Sequence, residues 1–143
     1  MPKTPAIRAR ARQIAEIVNS GIQPLQNLSV LRQVKQVELI GGGSDVSATA
    51  TATADGRAFG AAAIAAGLAS IEALVAPSGS GLFAAGTDTP SIADICLVPQ
   101  VYNAKRFNID LTPYPNIASV VAKCEALPTF QRAAPEQQPD ATK

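Results

Sequence analysis

The feature that most constrains the fold is an apolar helix with its own start and stop signals between Ser91 and Phe107. Ser91 is followed three residues later by Asp94, directly before the apolar run, in a Ser-x-x-Asp variant of the helix capping box. The Ser91 hydroxyl can accept a hydrogen bond from the Asp94 amide while the carboxylate accepts one from the Ser91 amide. Because no second carboxylate or histidine accompanies Asp94, we interpret both residues as structural caps rather than as a catalytic acid site.

Apolar residues at helical spacing predict a first helix near the N-terminus. Thr4 and Pro5 form a start signal, with a hydroxyl cap followed by proline in the first turn. Gly21 and Pro24 interrupt the helical period, which resumes at Leu25. One long helix kinked near Pro24 and two separate helices both fit this pattern.

Two stretches are not predicted to be helical. Residues 41–55 read GGGSDVSATATATAD, and we predict a flexible loop because glycines and alternating Ala and Thr cannot sustain a helix. Residues 135–143 are polar and contain proline, so we predict an irregular tail. The chain, 1–143, is expected to form one all-α domain of about five helices, in which the remaining helical patterns lie at 57–76, 114–127 and 129–134.

The composition excludes several kinds of site. The formal net charge of +1 argues against a nucleic-acid surface. The chain has no histidine, which removes the commonest metal ligand and general base, and no metal site is expected. Its two cysteines, Cys96 and Cys124, lack C-x-x-C spacing and are interpreted as reduced core thiols of an intracellular protein.

No membrane attachment is expected. The best candidate for a membrane span, 58–76, consists mostly of Ala and Gly and contains Glu72, so a buried helix explains it better. The N-terminal residues carry Lys3 and three arginines before the first acid, as a mitochondrial presequence does, but no serine precedes Ser20. We therefore expect a cytoplasmic protein, with a mitochondrial location as the alternative.

A few polar positions are candidates for ligand contacts. Arg106, at the end of the capped helix, can either stabilise the helix dipole or grip a substrate carboxylate with its guanidinium. Gln23 and Asn27 lie four residues apart and share a helix face, where they are solvated or capping groups if taken alone. Tyr102 could stack on a ligand, but we interpret it as a core residue.

Four segments carry a closer identification: GIQPLQNLS at 21–29, ADICLVPQVYNAKR at 93–106, PYP at 113–115 and QPD at 138–140. Together they closely resemble the C-terminal helical domain of zeta-class glutathione transferases, over nearly the whole chain with a gap at about 35–57. The resemblance implies a compact bundle around a central buried helix. It also favours one kinked helix near Pro24 and makes 41–55 an insertion.

The resemblance also implies roles for individual residues. In that family the arginine of an N-A-x-R-F motif faces the active site, and the intact motif here assigns Arg106 to a substrate carboxylate. The family's matching glutamine and the Asn-Leu-Ser that follows line the glutathione site. This assigns Gln23, Asn27, Leu28 and Ser29 to glutathione.

The known activity of this family is maleylacetoacetate isomerase, which forms fumarylacetoacetate in tyrosine and phenylalanine catabolism. The resemblance implies glutathione as cofactor, a small dicarboxylate as substrate and a homodimer as the full-length enzyme. The family activates glutathione with residues of an N-terminal thioredoxin-like domain, which is absent here, so no catalytic residue is expected in this chain and the chain alone should be inactive. A stand-alone, non-catalytic protein-interaction module and a truncated product are the alternatives.

Overall fold

A computed structural model describes residues 2–40, 56–75 and 82–141, without the side chains of residues 36–40. The loop predicted at 41–55 lies outside the described residues. The described residues form helices joined by turns and contain no β-strand, which confirms the all-α prediction. In chain order the elements are α1 (Pro5–Glu16), a π-helical segment (Ile17–Ile22), α2 (Gln23–Gln26), α3 (Leu28–Ile40), α4 (Arg57–Val75), α5 (Ile92–Arg106), α6 (Pro115–Glu125), α7 (Pro128–Ala133) and a 3₁₀ turn (Pro135–Gln137).

The capped helix α5 is the central element of the bundle. It packs against α1, the π-helical segment and α6, and its residues Leu97 and Val101 are buried in the core. The apolar stripes predicted in the other helices meet it there, including Ile14 of α1 and Ile64 and Leu68 of α4. The central buried helix is therefore confirmed.

The helical run that begins at Pro5 continues through Pro24 and breaks at Asn27. Before the proline, the turns of the segment Ile17–Ile22 widen to π-helical bonding, and the Gln23 N–H donates to the Val18 carbonyl. Pro24 has no N–H, but it occupies the first turn of α2, where no such donor is needed. Asn27 is extended, with ψ of 137°. The break predicted near Pro24 therefore lies at Asn27.

The capping box predicted at Ser91 and Asp94 is present and also fastens the preceding loop. Asp94 is fully buried, and its Oδ2 accepts hydrogen bonds from the Ser91 N–H (2.7 Å) and hydroxyl (3.0 Å). The Ser91 Oγ accepts from the Ala93 N–H at 3.2 Å. The second carboxylate oxygen, Oδ1, accepts from the Ala84 N–H at 2.8 Å. Asp94 thus joins the helix start to the chain ten residues before it.

A buried thiol lies beside this carboxylate. Cys124 of α6 is fully buried, and its Sγ lies 3.9 Å from Asp94 Oδ1. Burial, together with the negative charge of Asp94, raises the pKa of the Cys124 thiol to about 12. Cys96 is half-buried, and both cysteines are free, as the sequence predicts.

Helix α4 alone among the described helices has the length and apolar composition of a membrane span. Its stripe of Ile64, Leu68 and Ile71 is completely buried, as the sequence predicts for a core helix. The helix starts at Gly56, whose carbonyl accepts from the Gly60 N–H at 3.1 Å. Gly56 has φ of 70°, and a Cβ at this position would collide with the backbone carbonyl of Leu31. Only glycine therefore allows α3 and the start of α4 to approach this closely.

The C-terminal residues depart from the irregular tail predicted at 135–143. Pro135–Gln137 forms a 3₁₀ turn, and Gln138 Nε2 donates to two backbone carbonyls at the end of α7 (2.9 and 3.1 Å). Glu136 Oε1 accepts from the Tyr102 hydroxyl at 2.9 Å, which raises the pKa of Tyr102. The interpretation of Tyr102 as a core residue is wrong: it is 37% exposed, on the outer face of α5, where its hydroxyl can reach this carboxylate.

Candidate functional site

An open groove of about 660 Å³ lies between α2, the first half of α3, the start of α4 and the C-terminal end of α5. It contains four of the five residues predicted to contact a ligand, and it brings Arg106 to the other three, which lie far from it in the sequence. The lining consists of Gln23, Gln26, Asn27, Leu28, Leu31, Arg32, Lys35, Arg57, Asn103, Arg106 and Phe107.

Among the residues that the structure describes, the lining carries four cationic side chains and no acidic one. The sequence predicts only Arg106 in this role. Arg32 and Lys35, three residues apart on α3, share the helix face that meets the groove, and Arg57 joins them from α4. Charges of one sign around a concave surface raise the local concentration of oppositely charged ligands. The groove is therefore electrostatically suited to an anion.

The backbone around Arg106 is fixed by the way α5 ends. Asn108 adopts the left-handed conformation (φ 58°), and its N–H donates to the Lys105 carbonyl at 3.0 Å. The Ile109 N–H donates to the Ala104 carbonyl at 3.0 Å, which completes a Schellman motif. This ending satisfies two carbonyls that a helix C-terminus otherwise leaves without partners. It holds the Arg106 backbone while its side chain stays exposed.

A second contact to the same helix end comes from Arg57. The Arg57 Nη2 donates to the backbone carbonyl of Arg106. The Arg57 guanidinium also lies over the Phe107 ring, with its Cζ 4.8 Å from the ring centroid. Arg57 therefore links the start of α4 to the end of α5 at the groove.

Gln23 is joined to the core through a buried amide on α5. Gln100 is fully buried, and its Oε1 accepts hydrogen bonds from Gln23 Nε2 (3.0 Å) and Gln26 Nε2 (3.1 Å). In return, Gln100 Nε2 donates to Gln26 Oε1 at 3.0 Å. Gln23 itself is exposed and reaches the groove.

Asn27, Leu28 and Ser29 have different roles at the start of α3. Asn27 Oδ1 accepts from the Ser29 N–H (3.0 Å) and hydroxyl (2.8 Å), so Asn27 is the N-cap of that helix. Leu28, 67% exposed, and Asn27 line the groove, whereas Ser29 lies outside the lining.

The protein comparisons agree with this geometry. No protein-family profile matches the chain. Maleylacetoacetate isomerase of Mus musculus is 40% identical over 140 residues, which are 98% of this chain and 56% of the relative. The structure of maleylacetoacetate isomerase from Anaeromyxobacter dehalogenans with bound dicarboxyethyl glutathione and citrate is 43% identical, with a TM-score of 0.81 over 99% of this chain and 57% of that one. The holo structure of a maleylpyruvate isomerase, a bacterial zeta-class glutathione transferase, is 38% identical, with a TM-score of 0.82 over 99% of this chain and 62% of that one.

The chain belongs to the zeta class of glutathione transferases. It corresponds to their C-terminal helical domain and spans about half to three fifths (49–59%) of the length of the curated isomerases that it matches. The resemblance found in the sequence is thereby confirmed.

The described lining of this zeta-class groove supplies groups that can bind a ligand. Within the described residues it contains no Cys, Ser, Thr, Tyr or carboxylate side chain, and the sequence has no histidine. Across residues 2–40, 56–75 and 82–141, no group of His, Cys, Asp and Glu could hold a metal ion. The groove can therefore orient an anion, whereas activating a thiol requires other residues.

Several residues of this zeta-class groove, and Gln100 behind it, are not predicted from the sequence. Arg32 and Lys35 offer a signal, because a pair three residues apart on a predicted helix shares a face. Gln100 also offers a signal in the sequence, since a glutamine inside an apolar run needs a buried hydrogen-bond partner. Arg57 offers no such signal, because its contacts with the Arg106 carbonyl and the Phe107 ring join positions about 50 residues apart in the chain.

Proposed function

We propose that this chain is the substrate-binding C-terminal part of a glutathione-dependent maleylacetoacetate isomerase, which converts maleylacetoacetate to fumarylacetoacetate in tyrosine and phenylalanine catabolism. The observation that carries this proposal is the groove that brings Arg106 together with three further cationic side chains. Isomerases about 40% identical over nearly the whole chain support it. So does the relative crystallised with dicarboxyethyl glutathione and citrate, which both carry several carboxylates.

The residues present fit glutathione and a dicarboxylate. Both ligands are anionic, and the cations of the lining can neutralise their carboxylates. The amides of Gln23 and Asn103 offer donors and acceptors for the peptide groups of glutathione. When bound, glutathione supplies a thiol, whose reversible addition to the double bond of the substrate allows the rotation from cis to trans.

The residues of this chain orient the ligands. The planar guanidinium of Arg106 holds a substrate carboxylate with two parallel hydrogen bonds. Gln23 provides a polar contact to glutathione, and Asn27 caps the start of α3 beside it. Leu28 and Phe107 form the apolar part of the wall and displace water from the bound substrate.

We further propose that the chain works only together with a thioredoxin-like domain, in a homodimeric enzyme of the cytoplasm. The described lining of the groove holds no group that could activate a thiol, and the matched isomerases extend well beyond the part that corresponds to this chain. Leu28, exposed at the groove rim, provides apolar surface for that domain. Free cysteines such as Cys96 are typical of a reducing compartment.

A fusion enzyme tests the proposal. The 143-residue chain is joined to the N-terminal part of the A. dehalogenans isomerase that lies outside the match, and glutathione-dependent conversion of maleylacetoacetate is measured. The fusion should be active, and the chain alone should show no turnover. A fusion that folds and binds glutathione without isomerising maleylacetoacetate would refute the substrate assignment. Turnover by the isolated chain that persists after re-purification would refute the need for the second domain.

A further inference from the structure

We propose that Gln100 is a positioning residue of the groove, which holds α2 and thereby Gln23 and Asn27 in place. Gln100 is not part of the groove lining, so it acts through Gln23 and Gln26 rather than on a ligand. What the groove binds rests on the proposed function, whereas the positioning role rests on the contacts of the three glutamines alone.

The short helix α2 needs an anchor outside itself. It has only four residues, follows a π-helical segment and ends at the extended Asn27. A helix this short is unstable on its own, because its few internal hydrogen bonds do not offset the cost of ordering the backbone. Gln23 and Gln26 lie three residues apart, so both can point from α2 to the same partner. That partner is Gln100.

The amide of Gln100 is the polar centre of this contact. Its oxygen accepts from both glutamines of α2, and its nitrogen donates to Gln26, with all three distances between 3.0 and 3.1 Å. Gln100 is fully buried between the apolar residues Leu97 and Val101 of α5, where an amide without partners would be strongly destabilising. Moving α2 away from α5 would break all of these hydrogen bonds together, so the contact holds α2 in a single position.

Hydrogen exchange of the 143-residue chain tests the positioning role without any ligand. Gln100→Met keeps the side-chain volume and removes the amide, and Val101→Ala is the matched control because it removes core volume one residue away but no polar contact to α2. Amides from Leu25 to Ser29 should exchange roughly tenfold faster in Gln100→Met than in the control. Equal rates in Gln100→Met and the control, or faster exchange spread evenly over all helices, would overturn the proposal.

A second variant covers the case in which Gln100→Met does not fold. Gln23→Met changes an exposed residue and removes one of the three hydrogen bonds between α2 and Gln100. It should also raise exchange between Leu25 and Ser29 and nowhere else. Unchanged exchange in this variant would overturn the proposal.

Kinetics of the fusion enzyme separate this proposal from the proposed function. In an active fusion, Gln100→Met should raise KM for glutathione about three- to tenfold, as expected for weakened hydrogen bonds at the ligand, and leave kcat unchanged. An unchanged KM would overturn the positioning role while the proposed function stands. If the wild-type fusion is inactive although folded, the proposed function fails, and the exchange rates of the isolated chain still decide the role of Gln100.

Discussion

Replacing Asp94 should destabilise the domain more than any surface substitution. Its carboxylate accepts from the backbone N–H groups of Ser91 and Ala84 at 2.7 and 2.8 Å and is fully buried. A hydrogen bond to a charged group contributes about 1.5–3 kcal/mol, so losing two of them in Asp94→Ala should cost about 3–6 kcal/mol. Domains of this size are stable by about 5–15 kcal/mol, so the variant should be close to unfolded.

Urea unfolding followed by circular dichroism measures this effect. With an m value of about 2 kcal/mol per M, the midpoint should fall by about 1.5–3 M. Asp94→Asn keeps one acceptor oxygen and should lose roughly half as much stability. Asp88→Ala, which removes an exposed acid from the same loop, is the control and should stay within about 0.5 kcal/mol of wild type. A loss below about 1 kcal/mol in Asp94→Ala would show that the two amides find other partners, and the structural role of the box would be refuted.

Three further changes test other parts of the structure. In the fusion enzyme, Arg106→Ala should lower kcat/KM by about one to two decades while leaving the urea midpoint of the chain nearly unchanged. Arg106→Lys should recover only part of the lost kcat/KM. Intact kinetics with lost stability would contradict the ligand role. Gly56→Ala should lower the free energy of unfolding, measured with urea, by at least about 1–2 kcal/mol, because it puts a Cβ at positive φ against the Leu31 carbonyl. An unchanged free energy would contradict the close approach of Gly56 to Leu31. Between pH 9 and 12 the Cys124 thiol ionises when the chain unfolds but stays neutral when it is folded, so stability is fully present below pH 9 and falls as the pH rises. Cys124→Ala should lose less stability than wild type between pH 7 and pH 10.5, and parallel losses in the two proteins would refute this account.

The sequence predicts α5 well because both of its ends carry local signals. Ser91 and Asp94 begin the helix, and Lys105 and Arg106 supply cations at its end. These signals depend on neighbours within one turn, so they can be read without the tertiary structure. The break at Asn27 is less predictable, because the π-helical bonding before Pro24 compensates for the N–H that the proline lacks. The helix therefore continues past Pro24.

The groove could be predicted only in part. The resemblance to zeta-class transferases brings Gln23 and Arg106 to one site, since it carries information about tertiary contacts. It does not indicate Arg57, whose contacts with the Arg106 carbonyl and the Phe107 ring form only when the start of α4 meets the end of α5 in the folded chain. The position of Gln100 behind Gln23 likewise depends on tertiary structure, because 77 residues separate them in the chain.

The two ends of α5 have separate consequences for an organism that carries a variant of this protein. The cap at Ser91 and the guanidinium of Arg106 lie at opposite ends of a 15-residue helix, about 22 Å apart at 1.5 Å per residue. A substitution in the cap would therefore lower the amount of folded protein that escapes degradation in the cell. Each remaining folded molecule would keep the normal affinity of the groove for its ligand. A chaperone or a lower growth temperature could rescue a cap variant. A variant of Arg106 would accumulate to normal levels, and neither treatment would restore its binding.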